Sequence, residues 1–251
     1  VLFTFLRPVF LTQITVATLV YQLLHLQVLL PIGALAHVDY WIAASVFTLF
    51  YFLFDDFSRF GTHYLMHRIP TLWEFHKFHH SAETLTPLTV TRTHPVEGMI
   101  FILRTAIVQG VTIAIFVCLF GNKVDLLTIY GVGVFSLMFH SLGSNLRHSH
   151  VALHYPEAIE RIFISPAQHQ LHHSNDPRHF DRNFGVVLAV WDHLVGSFHP
   201  STHEKISFGL GPVDAGYTKS VWSMYWLPFA SLFRRLAVLT SRTAKIFERQ
   251  R

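Results

Sequence analysis

The chain has 251 residues, of which 51% are hydrophobic and 24 are Phe, while only 14% are charged and the mean hydropathy is +0.37. That balance excludes an ordinary soluble domain of this length, and a formal charge of only +4 with no nucleic-acid recognition module points to lipid headgroups rather than a nucleic-acid partner. A single cysteine, Cys118, excludes an internal disulfide, a thiolate zinc site and a cysteine nucleophile, and is expected to be a small buried apolar residue.

In chain order, four apolar stretches approach the length a bilayer requires: 9–30, 41–60, 98–120 and the shortest, 124–140. The first has no charged residue and is too long and too internal for a cleaved signal peptide. Because the sequence starts at Val1 rather than Met, a natural segment before it is expected to be missing. The connection at 31–40 has no Lys or Arg and that at 121–125 has only Lys123. By contrast Arg59, Arg68, Lys77 and Arg92 follow the second stretch, and Arg147, Arg161, Arg178 and Arg182 follow the fourth. The positive-inside rule then predicts two hairpins that return both histidine-bearing segments to the cytoplasmic side. Further on, 222–236 carries Tyr225, Trp226, Phe229, Phe233, Arg234 and Arg235, and is expected to lie in the membrane interface; Pro228 and its shortness argue against a fifth crossing. The expected architecture is an all-α integral membrane protein, one domain over 1–251, with four transmembrane helices and a cytoplasmic helical cap.

Histidines carry the chemistry. His63 and His67 are four apart, and HKFHH (His76, His79, His80) and HQLHH (His169, His172, His173) share the pattern H-x-x-H-H. On a helix, residues three and four apart share a face and adjacent ones diverge by about 100°. His76 and His80 can thus serve one metal while His79 turns toward a second, and the downstream cluster repeats that geometry. A lone imidazole beside a helix is ordinarily hydrogen-bonded or solvated, which is the default for His25, His37, His179, His193, His199 and His203, but three such clusters together indicate metal ligation. There is no H-E-x-x-H, G-x-S-x-G, G-x-G-x-x-G or G-x-x-x-x-G-K-[ST], which excludes zinc protease, serine hydrolase, nucleotide-cofactor and P-loop chemistry. The absence of E-x-x-H removes the carboxylate-bridged di-iron site of helical bundles, so any metals here are held mainly by nitrogen.

Four blocks together resemble the fatty acid hydroxylase and sterol desaturase superfamily over about residues 55–198: Asp56-Phe57 with His63…His67-Arg68, Leu72-Trp73…His76…His79-His80-Ser81, His94-Pro95-Val96-Glu97, and Ser165-Pro166…His169…His172-His173-Ser174 with Asn183-Phe184-Gly185 and Trp191-Asp192…Gly196. The resemblance implies a membrane di-metal enzyme with two iron ions, zinc being able to occupy the same nitrogen sites, that uses O2 to hydroxylate or desaturate a lipid entering from the bilayer. It also implies a further histidine ligand between the two H-x-x-H-H clusters, where His140, His148, His150 and His154 are candidates. His148 is favoured, then His150. His94 and His140 are expected beside the site rather than on the metal. Asp56 or Asp192 is expected to accept the free N–H of a ligand imidazole, Asn183 and Gly185 to make a tight turn, and Trp191 to pack at the membrane interface. No flavin or nicotinamide motif is present, and His94-Pro95-Val96 is not the His-Pro-Gly-Gly of a fused cytochrome domain. Electrons are therefore expected from a separate protein, of ferredoxin or cytochrome b5 type, at the cytoplasmic face. Two rivals remain at this point: a histidine-rich metal-binding or transport protein, which should distribute ligands along its spans, and a non-redox zinc enzyme.

Overall fold

A computed structural model describes residues 33–121, 146–211, 217 and 220–249, with helical pieces at 15–16, 18–19 and 22–23. The stretch predicted at 124–140, His140 and most of 9–30 lie outside the described residues.

Helix α1, Tyr40–Arg68, begins where the Asp39 carboxylate accepts the Trp41 N–H at 2.8 Å. It stops because Ile69 precedes Pro70 and is driven to extended backbone (φ −96°, ψ 113°). Pro70 then opens α2, Pro70–His80, at the first helical position, where its missing N–H costs nothing. With 29 residues, α1 is about 43 Å long against a hydrocarbon layer of about 30 Å, so His63 and His67 in its last turns extend beyond the predicted apolar stretch. Helix α3, Pro95–Phe120, runs back antiparallel to it. The Gly33 and Leu35 N–H groups donate to the carbonyls of Cys118 and Leu119, so the charge-poor connection before α1 meets the C-terminal end of α3, and the histidines of α1, helix α2 and the start of α3 gather at the other end.

Between α1 and α3, Ala43, Phe47 and Tyr51 pack on Val108, Phe116 and Phe120. Within the pair Asp55 holds Arg59 at 2.7 Å and Arg104 at 2.8 Å, which offsets the cost of placing these charges in a low-dielectric layer. The outward faces are apolar, with Trp41 75%, Leu49 60% and Met99 69% exposed. These two helices are long and apolar enough to cross a bilayer and turn such faces outward.

Three short helices follow, α4 Glu157–Glu160, α5 Pro166–His172 and α6 Val190–Val195. Among the described residues only single bridges occur, Phe163 with Leu188 and Ser174 with Phe208, and no strand forms. Helix α7, Val221–Arg249, continues through Pro228 and is longer than the predicted 222–236. It leans on α2 through Met224 against Phe78 and Tyr217, and through Arg235 at 3.2 Å from Glu74.

Candidate metal centre

Among the described residues, nine imidazoles converge in two groups. One comprises His63, His67, His76, His80 and His172, the other His79, His148, His169 and His173; within each, one ring nitrogen per residue lies within 4.8 Å of all the others. Metal–imidazole distances near 2.1 Å put opposite ligands of one ion about 4.2 Å apart, so each group spans roughly a single ion's shell. Helix periodicity explains the sorting. On α2, His76 and His80 share a face and join the first group while His79 turns to the second. On α5 the shares are exchanged: His169 and His173 go to the second group and His172 to the first. Helix α5 starts with a reciprocal cap, Ser165 Oγ accepting the Gln168 N–H and Gln168 Oε1 accepting the Ser165 N–H, which sets where His169 falls one turn later. His173 sits just past the helix at near-helical angles (φ −81°, ψ 0°) and so keeps its relation to His169.

The rings are oriented from behind. His63, His79 and His172 donate through Nδ1 to the carbonyls of Phe184 (2.8 Å), Arg92 (3.2 Å) and Arg182 (2.8 Å), which leaves the Nε2 lone pairs facing inward. The Nε2 atoms of His67, His76, His80, His172 and His173 are buried with no hydrogen-bond partner. His148 Nε2 lies 3.1 Å from His79 Nε2 and 3.0 Å from His169 Nε2. Burial pushes His76 down to about 3 and His79 to about 4, and holds His80, His169, His172 and His173 well below the ordinary imidazole value, with neighbouring imidazoles reinforcing the last four. Neutral, inward-facing, buried nitrogens without partners are costly unless a cation takes their lone pairs, and imidazole is a ligand that suits iron and zinc alike. The residues fit two metal ions.

The carbonyl acceptors come from a strained, well-held loop. Asp181 and Asn183 take left-handed conformations (φ 59° and 54°), turning the Arg182 and Phe184 carbonyls toward His172 and His63. Asn183 is locked by its side chain to the backbone N–H and carbonyl of His199 at 2.8 and 2.9 Å. Asp192, fully buried, accepts the N–H groups of Phe184 (2.8 Å) and Gly185 (2.7 Å). Gly185 is required by close approach: a Cβ there would lie 2.7 Å from the Leu188 carbonyl oxygen and 2.8 Å from an Asp192 oxygen. Asp56 on α1 accepts the N–H groups of Val187 and Leu188 and the Trp191 indole N–H at 2.9–3.1 Å. The two aspartates therefore brace the loop instead of meeting an imidazole, because their carboxylates are already filled by backbone donors. The carboxylate that does meet one is Glu97, with Oε1 2.9 Å from His76 Nδ1.

Other candidates fall outside the groups. His150 is exposed; His154 bonds Ser201 and lies against His203, ring centroids 4.2 Å apart and tilted by 37°. His94 caps α3, accepting the Val96 N–H at 3.1 Å, and meets the Tyr225 carbonyl at 3.2 Å among Phe75, Phe78 and Phe229, so it forms wall rather than ligand. Trp191 meets Phe57 edge to face, with ring centroids 5.1 Å apart. Glu97 was detectable from sequence as a lone acid at the start of an apolar stretch; the carbonyls of Arg92, Arg182 and Phe184 leave no sequence signal at all. His148→Ala should therefore lose metal and activity while His150→Ala stays near wild type, measured by metal content and turnover; the opposite ranking would move the ligand to His150.

The model of the family described as "Fatty acid hydroxylase" matches residues 48–197. Alkylglycerol monooxygenase of Danio rerio is 27% identical over 185 residues, covering 73% of this chain and 37% of that protein. A Delta(7)-sterol 5(6)-desaturase of Eremothecium gossypii is 26% identical over 195 residues (77% and 47%), and the ornithine lipid hydroxylase OlsE of Rhizobium tropici 28% over 167 (64% and 45%). The chain thus spans less than half the length of these curated relatives. No solved structure matches it. A matched stretch that begins within α1, ends just beyond α6 and contains all nine grouped histidines places this chain in the fatty acid hydroxylase family.

Proposed function

We propose that the chain holds two iron ions in its two histidine groups and, with O2 and electrons from a separate protein of ferredoxin or cytochrome b5 type, hydroxylates a membrane lipid. The observation that carries this is the pair of buried all-imidazole groups at one end of two apolar helices. Iron so held supplies activation of O2 for attack on an unactivated C–H bond. The protein's own residues orient the imidazoles from Glu97 and the loop carbonyls, and keep water away: Phe184, fully buried, and Trp73 lie 5.1 and 5.0 Å from the His67 ring. Relatives named for alkylglycerol, sterol and ornithine lipid chemistry support a lipid substrate, which would enter from the bilayer. Ligands gathered at one end of the helices, instead of spaced along them, favour an enzyme over a transporter. Comparing the lipids of cells with and without the gene tests this reading. One lipid gaining an oxygen atom is expected; loss of two hydrogens would make the reaction a desaturation, and an unchanged lipidome would overturn both.

The electron donor requires the metal end to be cytoplasmic, as the basic residues around it predict for a four-crossing arrangement. With Cys118 first replaced by Ser, Ala36→Cys in the charge-poor connection should react with an impermeant thiol reagent from outside intact cells. Pro177→Cys, beside the last cluster, should react only after the membrane is opened. Labelling of position 177 from outside would remove both the orientation and the cytoplasmic donor.

A further inference from the structure

Residues 186–195, which follow the loop that orients the imidazoles, are fixed nearer the apolar part of α1 than the histidines are. Their anchor is Asp56, whose carboxylate accepts the Val187, Leu188 and Trp191 indole N–H groups at 2.9–3.1 Å, and beside it Trp191 meets Phe57. Asp56 and Phe57 belong to the apolar stretch 41–60, and Asp56 precedes His63 by seven residues, about 10 Å along the helix axis. Helix α6 is thereby pinned alongside α1 at the depth of that stretch. The side chains turned outward there are apolar. The Ala189 N–H donates to the Ile162 carbonyl at 2.9 Å and Phe163 bridges Leu188, which brings Ile162 and Phe163 next to α6. With Val190, Leu194 and Val195 they form a patch whose five members are each 39–72% exposed, while Asp192 is buried on the inner side. Val190 and Leu194, four apart, share one face of α6. Phe57, itself exposed, joins the patch to the outward apolar face of α1. Apolar surface that continues a bilayer-crossing helix at the same depth is covered by the same lipid. We propose that this α6 edge of the histidine-bearing cap is seated in bilayer lipid beside α1, so that the cap is partly embedded instead of standing clear of the membrane in water. The inference rests on α1 crossing the bilayer and is independent of the metals.

The test uses the full chain with Cys118→Ser and one introduced cysteine, labelled with a fluorophore and reconstituted in phosphatidylcholine vesicles. Leu194→Cys is the reporter. Leu49→Cys, outward on α1, is the lipid reference, and Glu204→Cys, from the exposed pair with Arg178, is the water reference. A nitroxide on the lipid acyl chain should quench most of the emission at positions 49 and 194, and iodide in the buffer should quench only at 204. Leu194 is exposed, so its replacement removes no core packing; Phe163→Cys, across the bridge, is the second reporter should that variant fail to fold. Quenching at 194 by iodide and not by the nitroxide would put the patch in water and overturn the proposal. Shielding from both quenchers would mean that protein covers it, a second copy if mild oxidation links Leu194→Cys chains into dimers, and would overturn it equally. Iodide reaching position 49 sinks the crossing of α1 and the inference with it, whereas lipid at 49 and water at 194 sink the inference alone.

Discussion

Replacing His79 or His172 with Ala is expected to abolish turnover, falling further than the roughly 10–100-fold typical of residues that only support a ligand. Each of these side chains is the one its cluster sends across to the other helix's group: His79 leaves its helix neighbours His76 and His80 to join His148, His169 and His173, and His172 makes the reverse exchange. Both ions are needed in the proposed chemistry, so both variants lose activity, but their metal contents should differ. His79→Ala leaves three imidazoles in its group and should lose that ion on purification. His172→Ala leaves four in the other group, enough for partial retention. Metal analysis beside turnover checks this, with membrane insertion retained because the cores of α1 and α3 lie elsewhere. Full activity in either variant would remove the two-ion assignment.

Asp192→Ala is expected to cost both stability and metal. The buried carboxylate takes the N–H groups of Phe184 and Gly185, and truncation strands both donors where solvent is excluded, at about 1–3 kcal/mol each. The loop so loosened carries the Arg182 and Phe184 carbonyls, each 2.8 Å from a ligand imidazole, so His172 and His63 lose their orientation together. The expected result is a lowered Tm in detergent together with loss of the ion in the five-imidazole group. Asp56→Ala, which strands Val187 and Leu188, should destabilise in the same way. A wild-type Tm with full metal content in Asp192→Ala would show that the left-handed turn at Asn183 holds the loop unaided.

Much of this was legible in the sequence because it is local. Apolar length set two described helices over 41–60 and 98–120, and the spacing of H-x-x-H-H determined which imidazoles share a face. The tertiary structure decided what spacing cannot: that α2 and α5 trade their middle histidines, that His148 reaches the second group while His150 stays exposed, and that His94 caps a helix. It also decided which acceptors stand behind the rings. Asp56 and Asp192 looked like imidazole partners by residue type, yet their oxygens are filled by backbone donors of residues 184–188, while peptide carbonyls and Glu97 take the imidazole protons. Every residue but proline carries the same carbonyl and N–H, so their use in a site depends on where the folded chain aims them, and no side-chain pattern records it.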